Sequence, residues 1–131
     1  MAVVQALQAM LAGMTPVLTE GRWCFCPIPA PEAAPLLPHA LAMFREAEGL
    51  SLILPAGMAP DGQVMRQITL SVYSALDGVG LTAAVASALA AEGIPCNMVA
   101  AFRHDHAFVP EAQAPAALAC LLRLQAEAQT P

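Results

Sequence analysis

Apolar side chains recur at Val3, Val4, Leu7, Met10 and Leu11. This i, i+3, i+4, i+7 stripe predicts an amphipathic helix over Ala2–Ala12, with Gly13 as a suitable stop. Pro16–Leu18 then reads as extended chain and Glu20-Gly21 as a turn. Arg22–Pro27, aromatic and cysteine-rich, reads as a short strand. Pro27–Pro38 holds five of the twelve prolines and fits neither a helix interior nor a central strand, so an irregular connection is expected. Alternation returns over His39–Arg45 and Leu50–Leu54, with the Glu46–Gly49 turn making them a hairpin. Pro55–Gly62 reads as a short helical bend.

The second half has the clearer pattern. Val64–Tyr73 alternates at Ile68, Leu70 and Val72, as a half-buried strand does. Val79–Glu92 repeats Leu81, Val85 and Leu89 at four-residue spacing, with Ala84 and Ala88 widening the apolar face. Its alanines favour helix, and Gly93 suits a left-handed cap. Ile94–Phe102 is expected to be a strand, His104-Asp105-His106 a tight reversal, and Ala107–Val109 the returning strand. Glu111–Ala126 is expected to be a helix with Leu118, Leu121 and Leu122 on its buried face. Pro115 is tolerable only in a first turn, which moves the start towards Ala114. The order is thus β-α-β-β-α, after a first half of α-β-β-β with a short helical piece. Such an order belongs to the α+β, ferredoxin-like class, with helices on one face of an antiparallel sheet. Two halves are expected, 1–63 and 64–131.

Composition changes this picture in one respect. Of 131 residues, 58% are hydrophobic and 11% charged, and the mean hydropathy of +0.62 would suit a membrane protein. A spanning helix, however, needs about 20 consecutive apolar residues. Gly78–Ala91 is too short and carries Thr82 and Ser87. Met1–Thr19 is interrupted by Gln5, Gln8, Gly13, Thr15 and Pro16, and lacks the basic start of a signal peptide. A soluble, cytoplasmic protein is expected. Five arginines, no lysine and ten acids give a net charge of −5. That balance excludes a nucleic-acid or anionic-membrane partner as the first reading. So few charges leave apolar surface exposed, which points to self-association, a homodimer being the simplest form.

Candidate chemistry is sparse. Cys24, Cys26, Cys96 and Cys120 form no C-x-x-C pair and match no zinc spacing, so buried free thiols are expected ahead of a disulfide or a metal. His104 and His106 could share a face with Asp105 opposite, which raises a metal site or acid–base pair. No third ligand lies nearby in sequence, and a polar turn in which Asp105 adopts the left-handed conformation accounts for the same residues. Trp23, Phe25, Phe44 and Phe108 are expected in the core. Arg45, beside Glu46 and Glu48, marks either a charged hairpin tip or a cation reaching a carboxylate across an interface. No catalytic triad, phosphate loop or carboxylate pair can be assembled. The chain is therefore read as a non-enzyme without cofactor.

The stretch 68–110 contains Asp77-Gly78-Val79-Gly80-Leu81, a helix, Gly93-Ile94-Pro95-Cys96-Asn97 and a strand hairpin. It resembles an ACT domain. With Phe44–Leu52 upstream and His104–Pro110 downstream, the chain is similar to small bacterial proteins of two ACT-like halves, and to the ACT pairs of aspartokinase and the CASTOR sensors. The resemblance implies a regulatory fold that binds an amino acid between ACT units. It implies ligand contacts from Ser74, Leu76, Asp77, Gly78, Val79, Gly80 and Asn97, with His104, Asp105 and Arg45 as further candidates. The residues themselves suit that reading. A strand-to-helix loop offers unpaired N–H groups and a positive dipole end to a carboxylate. Gly78 and Gly80 allow close backbone approach. Asp77 could face an ammonium group or simply cap the helix. Two readings compete with it: a ligand-free ACT-like scaffold acting through protein contacts, and a metal-dependent enzyme built on His104 and His106.

Overall fold

The computed structural model describes residues 6–59 and 61–130. In chain order the elements are α1 (Leu7–Ala12), β1 (Pro16–Leu18), β2 (Trp23–Ile28), α2 (Ala30–Ala33), β3 (Ala42–Glu46), β4 (Gly49–Pro55), β5 (Met65–Leu70), α3 (Leu81–Ala91), β6 (Asn97–Ala100), β7 (Asp105–Pro110) and α4 (Ala114–Gln129). The first four residues of the expected N-terminal helix, 2–5, lie outside the described residues.

Two compact units result. One takes the chain from Arg66 onward and, before it, the segment up to Glu20; the other is Gly21–Met65. The expected halves, 1–63 and 64–131, follow chain continuity. The grouping by contact differs because the N-terminal segment packs with the later residues.

In the first unit, β1 pairs antiparallel with β5, Val17 opposite Thr69, and β7 lies between β5 and β6. The strand order is β1-β5-β7-β6. β5-α3-β6-β7-α4 supplies all but the last strand of a ferredoxin-like β-α-β-β-α-β unit, and the start of the chain supplies that strand as β1. Successive residues of a strand point to opposite faces. Ile68 and Leu70 of β5 and Ala107 and Val109 of β7 therefore share a face. They form one core with Leu81, Val85 and Leu89 of α3, with Ala114, Ala117, Cys120 and Leu121 of α4, and with Met10 of α1. Burial of each large apolar side chain here stabilises by about 1.5–3 kcal/mol before conformational entropy is counted. The opposite face carries Gln67, Thr69 and His106.

Local chemistry sets the helix ends. Gly80 opens α3 at φ +104°, and Gly93 closes it at φ +71°. The N–H groups of Gly93 and Ile94 donate to the carbonyls of Ala90 and Leu89, pairing two carbonyls that the last turn leaves open. The side-chain amides of Gln125 and Gln129 donate to the Ala12 carbonyl at 2.9 and 2.8 Å, while Gln8 donates to the Ala128 carbonyl. α1 is thereby tied to α4. Pro115 falls in the first turn of α4, where no N–H is required.

In the second unit β4 is central. It pairs antiparallel with β2, Cys26 opposite Leu52, and with β3, Phe44 opposite Ser51. Cys24, Cys26, Leu50, Leu52 and Leu54 share one face and bury Ala33 of α2 against it. The Glu46–Gly49 hairpin turn forms where the sequence places it, with Gly49 at φ +150°.

Several sequence expectations change. The proline-rich connection contains one helical turn, α2, and a 3-10 turn at Leu37–His39, each with proline in its first turn. The reversal between β6 and β7 spans Ala101–His104, closed by the Ala101 N–H donating to the His104 carbonyl at 3.1 Å. Asp105 and His106 thus belong to β7, and Asp105 does not adopt the left-handed conformation; among described non-glycine residues only Thr15 has positive φ. Phe108 is buried, but Phe25 is 42% and Phe44 70% exposed, so aromatic identity alone misplaces them. On α4 Leu122 faces solvent, and Ala117 and Cys120 take the buried stripe with Leu121.

Candidate functional site

Beyond β5 the chain runs through Val72 and Ser74 into a glycine-containing loop that ends at Gly80, the residue before α3. That helix has no side-chain cap. Asp77 is exposed and does not cap, which settles one of its two sequence readings. With no side chain bonded to it, the first turn of α3 keeps its N–H donors and its positive dipole end for another acceptor.

The loop closes around a cavity of about 140 Å³ in the first unit. Its walls are Ser74, Ala75, Leu76, Gly78, Gly80, Leu81 and Thr82 from the loop and helix start, Ala100, Ala101 and Asp105 from the β6–β7 hairpin, and Met10 from α1. The Ser74 hydroxyl donates to Asp105 Oδ2 at 3.5 Å, linking the loop to β7. The site thus combines a helix start without a side-chain cap, the hydroxyls of Ser74 and Thr82 and the Asp105 carboxylate, with glycine, alanine, leucine and methionine elsewhere.

The glycines answer to packing as well as to any ligand. A Cβ on Gly78 would lie 3.1 Å from the Ala75 carbonyl oxygen and 3.2 Å from Met10 Sδ, and one on Gly80 would lie 3.1 Å from Leu7 Cδ2. α1 therefore rests directly on the loop. Met10 as a cavity wall is not visible in sequence, where it reads only as one residue of an apolar stripe.

Of the expected site residues, Ser74, Leu76, Gly78, Gly80 and Asp105 are brought together here. Asp77 and Val79 sit on the outer side of the loop, both exposed. Asn97 pairs with Phe108 at the far end of β6 from Ala100 and does not line the cavity. Arg45 lies exposed on β3, in the other unit.

His104 and His106 part company. His104 Nδ1 lies 3.1 Å from the Val72 carbonyl and donates to it, fixing the hairpin to the strand exit. His106 is on the opposite face, its Nδ1 3.0 Å from Gln67 Nε2 and 3.0 Å from Thr69 Oγ1. Burial, with a smaller push from His104, lowers the His106 pKa below its usual value, and Asp105 partly offsets this. Among the described residues no three His, Cys, Asp or Glu side chains are grouped to hold a metal ion. The four cysteines are free, with Cys24, Cys26 and Cys120 buried. The second unit has a wider cleft of about 520 Å³ beside Glu46 and Glu48, at the β3–β4 turn. Its polar side chains are Glu46, Glu48 and Ser51, whose hydroxyl donates to Glu46. No helix among the described residues is long and apolar enough to cross a membrane.

This arrangement is that of an α+β, ferredoxin-like module, and sequence comparison names the family. One ACT domain model matches residues 3–68 and a second matches 64–123. The chain belongs to the ACT domain family. It is 37% identical to a protein of unknown function from Vibrio cholerae, described as a possible transport protein, with a TM-score of 0.79 over 91% of this chain and 95% of that one. A protein from Agobacterium tumefaciens is 21% identical, with a TM-score of 0.69 over 84% and 87% of the two chains. The regulatory subunit of aspartate kinase from Thermus thermophilus, in its ligand-free form, is 12% identical, with a TM-score of 0.64 over 86% and 97%. At that identity the likeness concerns the fold. No curated protein matches the chain.

Proposed function

We propose that this protein is a cytoplasmic, non-catalytic sensor that binds a free amino acid in the cavity between the Ser74–Gly80 loop and the β6–β7 hairpin. ACT domains typically bind amino acids in regulation, and the two family matches bring that expectation to this chain. The observation that carries the reading is the cavity's lining: uncapped N–H groups at the start of α3 suit a carboxylate, and Asp105 with Ser74 suits an ammonium group. A thermal-unfolding screen against the proteinogenic amino acids at millimolar concentration tests it. A ligand at 100 times its Kd stabilises by about 2.7 kcal/mol. Asp105→Asn and Ser74→Ala should each reduce the shift. The absence of any shift across the panel would refute the reading.

Self-association is the companion proposal. Leu76, Val79 and Phe102 are 71%, 81% and 66% exposed. All three lie on the loop or hairpin that bounds the cavity, and exposed apolar residues grouped in this way favour a protein contact. Light scattering at micromolar concentration checks it; a strict monomer would exclude a homodimer built on this rim.

A further inference from the structure

We infer that the ligand is one of the smallest neutral α-amino acids, and that Met10 sets the size limit. The inference rests on the amino-acid reading above and adds its selectivity. The cavity holds about 140 Å³. A protein cavity of about 150 Å³ takes a molecule the size of benzene, so this one suits a ligand of about six heavy atoms, the scale of glycine, alanine or serine. Ligand pockets for larger molecules run to about 300–1,000 Å³. Met10 is 1% exposed and belongs to the core, so it is no mobile flap. A Cβ on Gly78 would lie 3.2 Å from the Met10 sulfur, so this side chain packs closely on the loop. The helix that carries it is held by Gln125 and Gln129 through the Ala12 carbonyl. Withdrawing this wall would sacrifice core packing and both hydrogen bonds. Charge narrows the choice further. Among the described residues lining the cavity Asp105 alone is charged, so an acidic ligand side chain would meet a like charge there.

Isothermal titration of the full chain with glycine, alanine, serine, leucine, phenylalanine and aspartate tests this. One or more of the first three should bind at least about tenfold more tightly than the last three. Met10→Ala should gain leucine binding by about tenfold or more, because it removes the wall. Leucine binding the unaltered protein as tightly as alanine would overturn the size limit and leave the amino-acid reading intact. No binding of any amino acid would overturn that reading, and this inference with it. If Met10→Ala does not fold, Ala75→Val narrows the same cavity from the loop side. It should lose serine and alanine more than glycine, and unchanged alanine affinity there would overturn the inference.

Discussion

The imidazole of His106 accepts a hydrogen bond from the side-chain amide of Gln67, Nδ1 to Nε2, at 3.0 Å. The amide is oriented by Thr19, whose hydroxyl donates to its oxygen at 3.3 Å. An amide nitrogen can only donate, so Nδ1 must be the unprotonated nitrogen and the ring proton sits on Nε2. A second proton on the ring would set two donors against each other.

That relationship has a pH consequence. Burial already lowers the His106 pKa from its ordinary 6.5. With the folded value below the unfolded one, the unfolded chain binds more protons in the interval between them, so stability rises with pH there. The contribution is present above about pH 6.5 and is lost as pH falls towards the folded value. The urea midpoint should therefore drop between about pH 7.5 and about pH 5.5, and drop less in His106→Gln. Glu92, whose pKa is lowered from 4.5 chiefly by hydrogen bonds from Cys120 and Arg123, acts in a more acidic window. Equal slopes in the two proteins above about pH 5 would show that His106 is not the group responsible.

Two glycines separate strain from crowding. Gly93 has positive φ, and a Cβ there would meet nothing within 4 Å. Gly93→Ala should cost about 1–2 kcal/mol from the left-handed backbone alone. Gly80→Ala carries comparable strain and adds contact with Leu7 at 3.1 Å. It should cost more, towards about 3 kcal/mol. Denaturant unfolding of both variants measures the difference, and an equal cost would mean that α1 yields at Leu7.

The core stripe makes a contrasting pair. Leu89 is fully buried between sheet and helices, and Leu122 is 47% exposed. Leu89→Ala should destabilise by about 2–5 kcal/mol. Leu122→Ala should stay within about 0.5 kcal/mol. A large loss at Leu122 in a strict monomer would contradict the orientation of α4.

The thiols offer a chemical check. Burial and the neighbouring Glu92 carboxylate push Cys120 up to about 11. Cys24 is fully buried. At about pH 8 both should resist a thiol reagent in the native protein, and all four cysteines should react after unfolding in denaturant without reductant. Fewer than four would reveal a disulfide.

Much of the site was legible in sequence because it is local. Ser74, Gly78 and Gly80 lie within seven residues and carry turn and helix-start chemistry that any chain would express there. Asp105 is a ligand candidate by resemblance, but its neighbours in sequence read it as a turn residue, and it lies on β7. It reaches the cavity because the reversal falls at Ala101–His104 and the two-residue alternation of β7 then turns it towards Ser74. Met10 was illegible, since its role depends on helix docking across more than sixty residues of sequence.

The same division holds for the fold. Periodicity determined the longer strands and helices and the α+β class, though not α2 or the β6–β7 reversal, because burial on one face imposes a repeat of two or about 3.6 on any chain that forms them. Tertiary structure decided which strands meet. β1 joins β5 because the free edge of the later unit needs a partner and the N-terminal segment supplies one. No local pattern encodes that choice, and it is what carries α1 over the loop and makes Met10 a wall of the site.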